Sequence, residues 1–285
     1  MKSPTLLIIG CGDVGTRVGH RLAAQGWHII AACRSPERLP DNFERIAIDY
    51  TNPATLLSLA HAQAPFVLIT PLPTERGIIG YQRGYHQSLQ HVVDAGCTAA
   101  AKLTVLVSST RVYQESNGGW VDETSAVDEL DPYCAALLAG ERLIANAGCS
   151  AVIRAAGLYG AGPGHLLARV ARGEASSQGW RYSNRIHRDD LAGLIAFVLN
   201  AAQTQAPPSS LINAVDDEPA PLQEVEQWLA ARLGVNLCPV QAGPSDAMSR
   251  ANRRCSNRVL HQLGYQLQFP TFRAGYAPLA DALQR

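Results

Sequence analysis

Apolar residues fall in short unbroken runs, separated by segments with helical spacing. Leu6 to Ile9 is apolar throughout, the pattern of a strand buried on both faces. A glycine-rich turn follows. From Val14 to Gln25 apolar positions recur at three- and four-residue intervals, until Gly26 stops the helix. The alternation continues down the chain. Strands are expected at His28–Cys33, Ile46–Asp49, Phe66–Thr70, Thr104–Ser108, Ala151–Arg154 and Leu211–Val215. Helices are expected after Pro53, from about Tyr81 to Gly96, from Tyr133 to Ala147, from Leu191 to Asn200 and from Pro221 to Leu233. Pro53 and Asp131-Pro132 serve as helix openers. Alternation of this kind predicts βαβ units and an α/β fold with a doubly wound parallel sheet. After Gly157 the pattern loosens, and Ala201–Ser210 reads as a polar surface connection.

Composition narrows the class. The 285 residues carry 24 Lys+Arg against 24 Asp+Glu, so net charge gives no reason to expect nucleic acid or an anionic membrane as partner. Hydrophobic residues make up 47%, enough for a large core and far from a disordered composition. Seven cysteines, at 11, 33, 97, 134, 149, 238 and 255, form no C-x-x-C pair, which argues against a disulfide framework or a structural zinc site. The apolar run Thr5–Ile9 is too short for a signal-peptide core, and no run reaches the ~18 residues of a membrane span. A cytoplasmic protein with reduced thiols and no metal is expected.

The strongest motif is Gly10-Cys11-Gly12-Asp13-Val14-Gly15, a G-x-G-x-x-G between the first strand and the first helix. In that context Gly10 permits a tight turn. Gly12 lets backbone approach a pyrophosphate, and Gly15 lets helix and strand pack closely. The helix N-terminus then offers free N–H groups to phosphate. We therefore expect a Rossmann-type dinucleotide site. The second strand ends in Ala32-Cys33-Arg34-Ser35, with Arg38 beyond, and lacks the carboxylate that would accept from a ribose 2′-hydroxyl. Arg34, Ser35 and Arg38 suit a 2′-phosphate instead, so NADP is expected, with NAD as the alternative. Asp49-Tyr50 ends the third strand, where Asp49 either accepts from an adenine amino group or caps the next helix. Thr70-Pro71-Leu72 follows the fourth strand and either lines the cofactor or is only a turn. Cys11 reads as a small buried residue rather than a redox group.

Further motifs carry a resemblance. Ser108-Ser109-Thr110-Arg111-Val112-Tyr113, Gly119-Trp120-Val121-Asp122-Glu123, Tyr133 with Glu141, Arg154 through Tyr159-Gly160, Ile186-His187-Arg188-Asp189-Asp190-Leu191-Ala192 and Asn213 through Pro219 occur in that order. Together they resemble the extended short-chain dehydrogenase/reductases, also called NAD-dependent epimerase/dehydratases. Arg254-Cys255-Ser256-Asn257 and Leu263-Gly264-Tyr265 are similar to its bacterial YeeZ-like branch. The resemblance implies a Rossmann domain over 1–155 plus roughly 185–215, and a small C-terminal substrate lobe over 156–184 and 216–285. It implies an NAD(P)-dependent oxidoreductase or epimerase acting on a small hydroxyl or carbonyl substrate of nucleotide-sugar type, and leaves a homodimer open. Ser109 would bind the reacting oxygen and Tyr133 would exchange its proton.

One departure stands out. The family's lysine, one turn after the tyrosine, is Leu137 here, and the chain's lysines, Lys2 and Lys102, do not fit that helix. Nor has the family's supporting asparagine a counterpart around Tyr81–Leu89. Either another cation such as Arg111 serves Tyr133, or the protein is a non-catalytic NADP(H)-binding sensor or regulatory protein. Thr110, Arg111, Arg154 and His187 are the candidate substrate contacts. Arg154 has a structural alternative in pairing with Asp189–Asp190. Asp189 or Asp190 is read as the cap of the helix at Leu191. The cluster Arg250, Arg253, Arg254 and Arg258 is read as a solvated helix end, with an anion site as the alternative.

Overall fold

The structure, a computed structural model, describes residues 3–60, 62–160, 164–176, 180–204, 210–239 and 252–284. The chain divides into two compact units. One comprises Met1–Val112, Val127–Arg154 and Leu191–Ile212, and the other Tyr113–Ala126, Ala155–Asp190 and Asn213–Arg285. Arg250 of the basic cluster lies outside the described residues.

Seven strands form the central sheet: β1 (Thr5–Ile9), β2 (His28–Cys33), β3 (Glu44–Ala47), β4 (Phe66–Ile69), β5 (Leu103–Ser109), β6 (Ser150–Ala155) and β7 (Leu211–Ala214). The described helices are α1 (Asp13–Ala23), α2 (Pro53–Ala60), α3 (78–94), α4 (Pro132–Ala147), α5 (Gly164–Ala171), α6 (Arg188–Ala201), α7 (Leu222–Leu233), α8 (Arg258–Gln262) and α9 (Phe272–Leu283). The sheet is parallel and its spatial order is β3-β2-β1-β4-β5-β6-β7, the doubly wound Rossmann arrangement. Strand order reverses between β1 and β4. The register sets Ile9 beside both Ala32 and Ile69, so β1, β2 and β4 end at one level. Ligands of such sheets bind beyond that edge, at the reversal.

Burial explains the strands. Leu6, Leu7, Ile8 and Ile9 are fully buried, and Leu7 and Ile9 pack with Ile30, Val67, Ile69, Leu89 and Val92. Helix α1 turns Gly15, Val18, Gly19 and Leu22 inward. Strand β3 ends at Ala47 rather than Asp49, because Asp49 is taken up by the turn that follows, accepting from Thr51 N (3.0 Å) and Thr51 Oγ1 (2.7 Å). Helix α3 starts at Ile78, earlier than expected, and its middle, Gln82–Gln87, is π-helical. This helix is clamped by backbone. A Cβ on Gly80 would overlap Glu75 O, one on Gly84 would overlap Leu72 O, and one on Gly140 of α4 would overlap Tyr85 O.

In the second unit Tyr159, Leu167, Val225, Leu229, Phe272 and Tyr276 form a core between α5, α7 and α9. Short strand pairs tie its loops together. Gly157–Tyr159 runs parallel to Arg185–His187, and Trp120–Val121 runs parallel to Arg254–Cys255. No described helix is long and apolar enough to cross a membrane.

Candidate functional site

The β1–α1 turn shows what each glycine is for. Gly10 has φ +79°, in the left-handed region, and Ala32 O accepts from both Gly10 N (2.9 Å) and Cys11 N (3.0 Å). A Cβ on Gly15 would press on Ile8 Cγ2 at 2.9 Å and Cys11 Sγ at 3.2 Å, so this glycine serves helix–strand packing. Gly12 differs. A Cβ there would meet only Gly10 O at 3.8 Å, so the fold itself does not require glycine at this point. Gly12 is the N-cap of α1 and no side chain caps that end. The first-turn N–H groups and the helix dipole therefore face the cradle that a side chain at 12 would fill, and the cradle fits a pyrophosphate. Val14 is half-buried, and Asp13 pairs with Arg17 at 3.1 Å. Burial pushes the Cys11 thiol up to about 11, which keeps it protonated and unreactive.

Other candidates gather around this turn. Thr70 Oγ1 donates to Gly10 O at 2.7 Å. The Tyr50 hydroxyl accepts from Leu72 N at 3.3 Å, and its ring edge lies 3.2 Å from where a Cβ on Gly10 would sit. Pro71 is buried and Leu72 exposed. Arg34 lines a cavity of about 320 Å³ with Thr51, Arg83, Gln87 and His91. Thr51's hydrogen bonds, and more weakly the Arg34 charge, hold the Asp49 carboxyl below the usual carboxylate range against partial burial. Asp49 thus has its structural partner in Thr51. Ser35 opens the short turn Pro36–Arg38, and Arg38 is 84% exposed beside Glu37 at 3.9 Å. Arg83 and His91 were not singled out from sequence, because a helix 50 residues downstream gives no local sign of reaching Arg34.

The second group lies at the end of β5 and the start of α4. Asp131 caps α4, accepting from Tyr133 N (2.9 Å) and Cys134 N (3.0 Å), with Pro132 in the first turn. Partial burial works against the Asp131 carboxylate, but the Cys134 N–H, the Arg111 charge and the Tyr133 N–H outweigh it and hold it low. Ser109 Oγ accepts from Arg111 N at 3.2 Å, which leaves its own proton to be donated. Thr110 opens the 3-10 turn Thr110–Val112. The Arg111 guanidinium stacks on Tyr133, 4.7 Å from the ring centroid. Tyr81, missed in the sequence, meets Tyr133 edge-on at 5.0 Å. Leu137 is 1% exposed. A turn further, Glu141 accepts from Ser108 Oγ (2.6 Å) and is held by Arg154 at 3.1 and 2.7 Å. Arg154 is buried in that ion pair.

In the second unit His187 is buried. Its Nδ1 accepts from Asp189 N at 3.2 Å, and its ring lies 3.9 Å from Phe269 and 5.2 Å from Tyr159. The helix after it begins at Arg188, not Leu191. Asp190, one of the two aspartates expected to cap it, accepts from Gln268 N (2.7 Å) and Phe269 N (2.9 Å). Of the basic cluster, Arg258 does open a helix in an exposed position, but Arg253 and Arg254 are not a solvated helix end. Arg254 lies in a strand, 5.1 Å from the Trp120 centroid and 4.9 Å from that of Tyr182; Arg253 is buried, and Arg258 is exposed near Asp122 at 3.8 Å. This unit has its own cavity of about 480 Å³, lined by Tyr159, His165, Arg169, Arg185, Arg188 and Tyr276 among others. Arg169 is bound to Glu226, and Arg185 donates to Ser183 O at 3.2 Å and Ser183 Oγ at 2.6 Å. Nearby, burial raises the Asp216 carboxyl to about 8, with Arg185 pulling it back and Asp217 and Asp190 pushing it further. Among the described residues no His, Cys, Asp or Glu cluster could hold a metal ion.

Comparisons agree with this geometry. Residues 10–202 match the family model described as NAD(P)H-binding. Protein YeeZ of Escherichia coli K12 is 26% identical over 275 residues, 92% of this chain and 95% of that protein. A structure assigned to the NAD-dependent epimerase/dehydratases, from Methylobacillus flagellatus, is 30% identical with a TM-score of 0.79 and full coverage of both chains. The fold also matches human epimerase family protein SDR39U1, solved with NADPH, at 21% identity, a TM-score of 0.77 and coverage of 97% of this chain and 99% of that one. The chain is thus a YeeZ homologue and belongs to the NAD(P)H-binding, NAD-dependent epimerase/dehydratase family.

Proposed function

We propose that this protein is an NADP(H)-dependent oxidoreductase or epimerase acting on a hydroxyl or carbonyl carbon of a small anionic substrate of nucleotide-sugar type. The observation that carries the reading is Gly12, a glycine the fold does not need, at an uncapped helix N-terminus. NADP is favoured over NAD because β2 ends without a carboxylate and Arg34 shares its cavity with Arg83 and His91. Bound coenzyme would supply or accept the hydride. Ser109 would donate its hydroxyl proton to the reacting oxygen and hold it in place, and Tyr133 would exchange a proton with that oxygen.

A second reading has its own observation. Leu137, buried where the family places a lysine, favours a protein that binds NADP(H) and signals without turnover. NADPH oxidation across a panel of carbonyl compounds, with Tyr133→Phe as control, separates the two. Turnover lost in Tyr133→Phe supports the enzyme. Tight NADPH binding by both proteins with turnover by neither overturns it.

A further inference from the structure

We infer that Arg111 is the positioning residue for Tyr133, bringing from the loop after β5 the positive charge that Leu137 cannot bring from α4. The inference deepens the proposed function and rests on its assignment of proton exchange to Tyr133. The Arg111 guanidinium carbon lies 4.7 Å from the Tyr133 ring centroid and 5.9 Å from that of Tyr81. Tyr81 in turn meets Tyr133 edge-on. Two elements therefore converge on this ring of the first turn of α4: α3 and the turn after β5.

The loop is pinned so that the cation stays there. Arg111 N donates to Ser109 Oγ at 3.2 Å, and Cys134 Sγ donates to Arg111 O at 3.3 Å. Arg111 Nη2 lies 3.8 Å from Asp131 Oδ2, while the other oxygen of Asp131 caps α4. A single turn of backbone thus fixes the hydroxyl of Ser109, the cation of Arg111 and the start of the helix that carries Tyr133.

When a phenol gives up its proton, negative charge spreads from oxygen into the ring. A cation on the ring face is then held more strongly than it was by the neutral ring. Guanidinium suits this place because it stays charged at any working pH and its plane stacks on an aromatic face. A lysine reaching the hydroxyl from the next helical turn acts on the same charge from the edge of the ring. The groups facing Tyr133 are the Arg111 cation, the Asp131 carboxylate, the Tyr81 phenol with Tyr85 behind it, and the Cys134 thiol. Ring size keeps the hydroxyl oxygen within about 8 Å of the guanidinium. Asp131 opposes the effect, and Arg111 is 34% exposed to water, which screens its charge.

The test follows the tyrosinate ultraviolet band of the full chain through an alkaline titration. Tyr133 is read as the difference between each protein and its Tyr133→Phe counterpart. Arg111→Met should move the Tyr133 transition upward, and Arg111→Lys should recover part of the change. Asp131→Asn keeps a capping side chain and removes the opposing charge, so it should move the transition downward. An unmoved transition in Arg111→Met, or shifts of the same sign in Arg111→Met and Asp131→Asn, overturns the inference. NADPH turnover is scored separately. Turnover whose pH profile ignores Arg111→Met refutes the role of Arg111 alone. The expected titration shifts in a protein that never turns over refute the catalytic reading of Tyr133 alone.

Discussion

The buried pair between Arg154 and Glu141 gives a sharp test of how the first unit is held. Both side chains are nearly dry, 6% and 10% exposed, and Ser108 supplies the third hydrogen bond to the carboxylate. Arg154→Met keeps much of the stem volume and removes the cation. Glu141 would then be left as a buried carboxyl without its ion partner. Removing one partner of a buried pair costs ~3–5 kcal/mol, and a loss of that size is expected here. Amide hydrogen exchange of the α4 and β6 core reads the difference locally without assuming one cooperative transition. The double variant Glu141→Gln/Arg154→Met should recover most of the loss. A deficit below about 1 kcal/mol would refute this account of the pair.

Three further outcomes are expected. Arg34→Ala should weaken NADP binding at least about tenfold more than NAD binding by calorimetry, and equal weakening of both would remove Arg34 from 2′-phosphate recognition. Gly12→Ala should change stability by less than about 1 kcal/mol, since a Cβ there touches little, yet lower NADPH affinity at least about tenfold; unchanged affinity would mean the turn does not hold the pyrophosphate. Asp216, raised to about 8 by burial, keeps a proton in the folded chain that the unfolded chain has lost, so wild-type stability should fall as pH rises from about 4 to 8. Asp216→Asn should flatten that slope in urea denaturation, and an unchanged slope would count against a buried protonated carboxyl.

The central sheet was legible because its strands are buried on both faces and so read as unbroken apolar runs, as in Leu6–Ile9 and Phe66–Ile69. Helix α4 was legible from Asp131-Pro132 and its spacing, which put Tyr133, Leu137 and Glu141 on one side. The π turn of α3 was not, because it adds a residue to the helical repeat and depends on Gly84 meeting Leu72 O, a contact from another part of the chain. Asp190 misled because an acidic residue beside a helix start looks like a cap, whichever backbone N–H groups it meets; here they belong to Gln268 and Phe269. Arg254 was lost in a charge cluster because its aromatic partners, Trp120 and Tyr182, lie far away in sequence. Arg111 as a neighbour of Tyr133 was within reach, since a missing lysine directs attention to the nearest remaining cation.

Helix α3 rests on main chain rather than on side chains at Gly80, Gly84 and Gly140, and this makes it a stiff transmitter. Side chains can swing into another rotamer to absorb a push, whereas abutting backbones pass it on. A displacement of the 72–75 segment, which adjoins the glycine bend through Tyr50 and Thr70, is handed directly to the turn carrying Tyr81 and Tyr85. From there it reaches the Tyr133 ring through the edge of Tyr81. One unbroken run of abutting backbone and ring contacts thereby joins the glycine bend to the phenol.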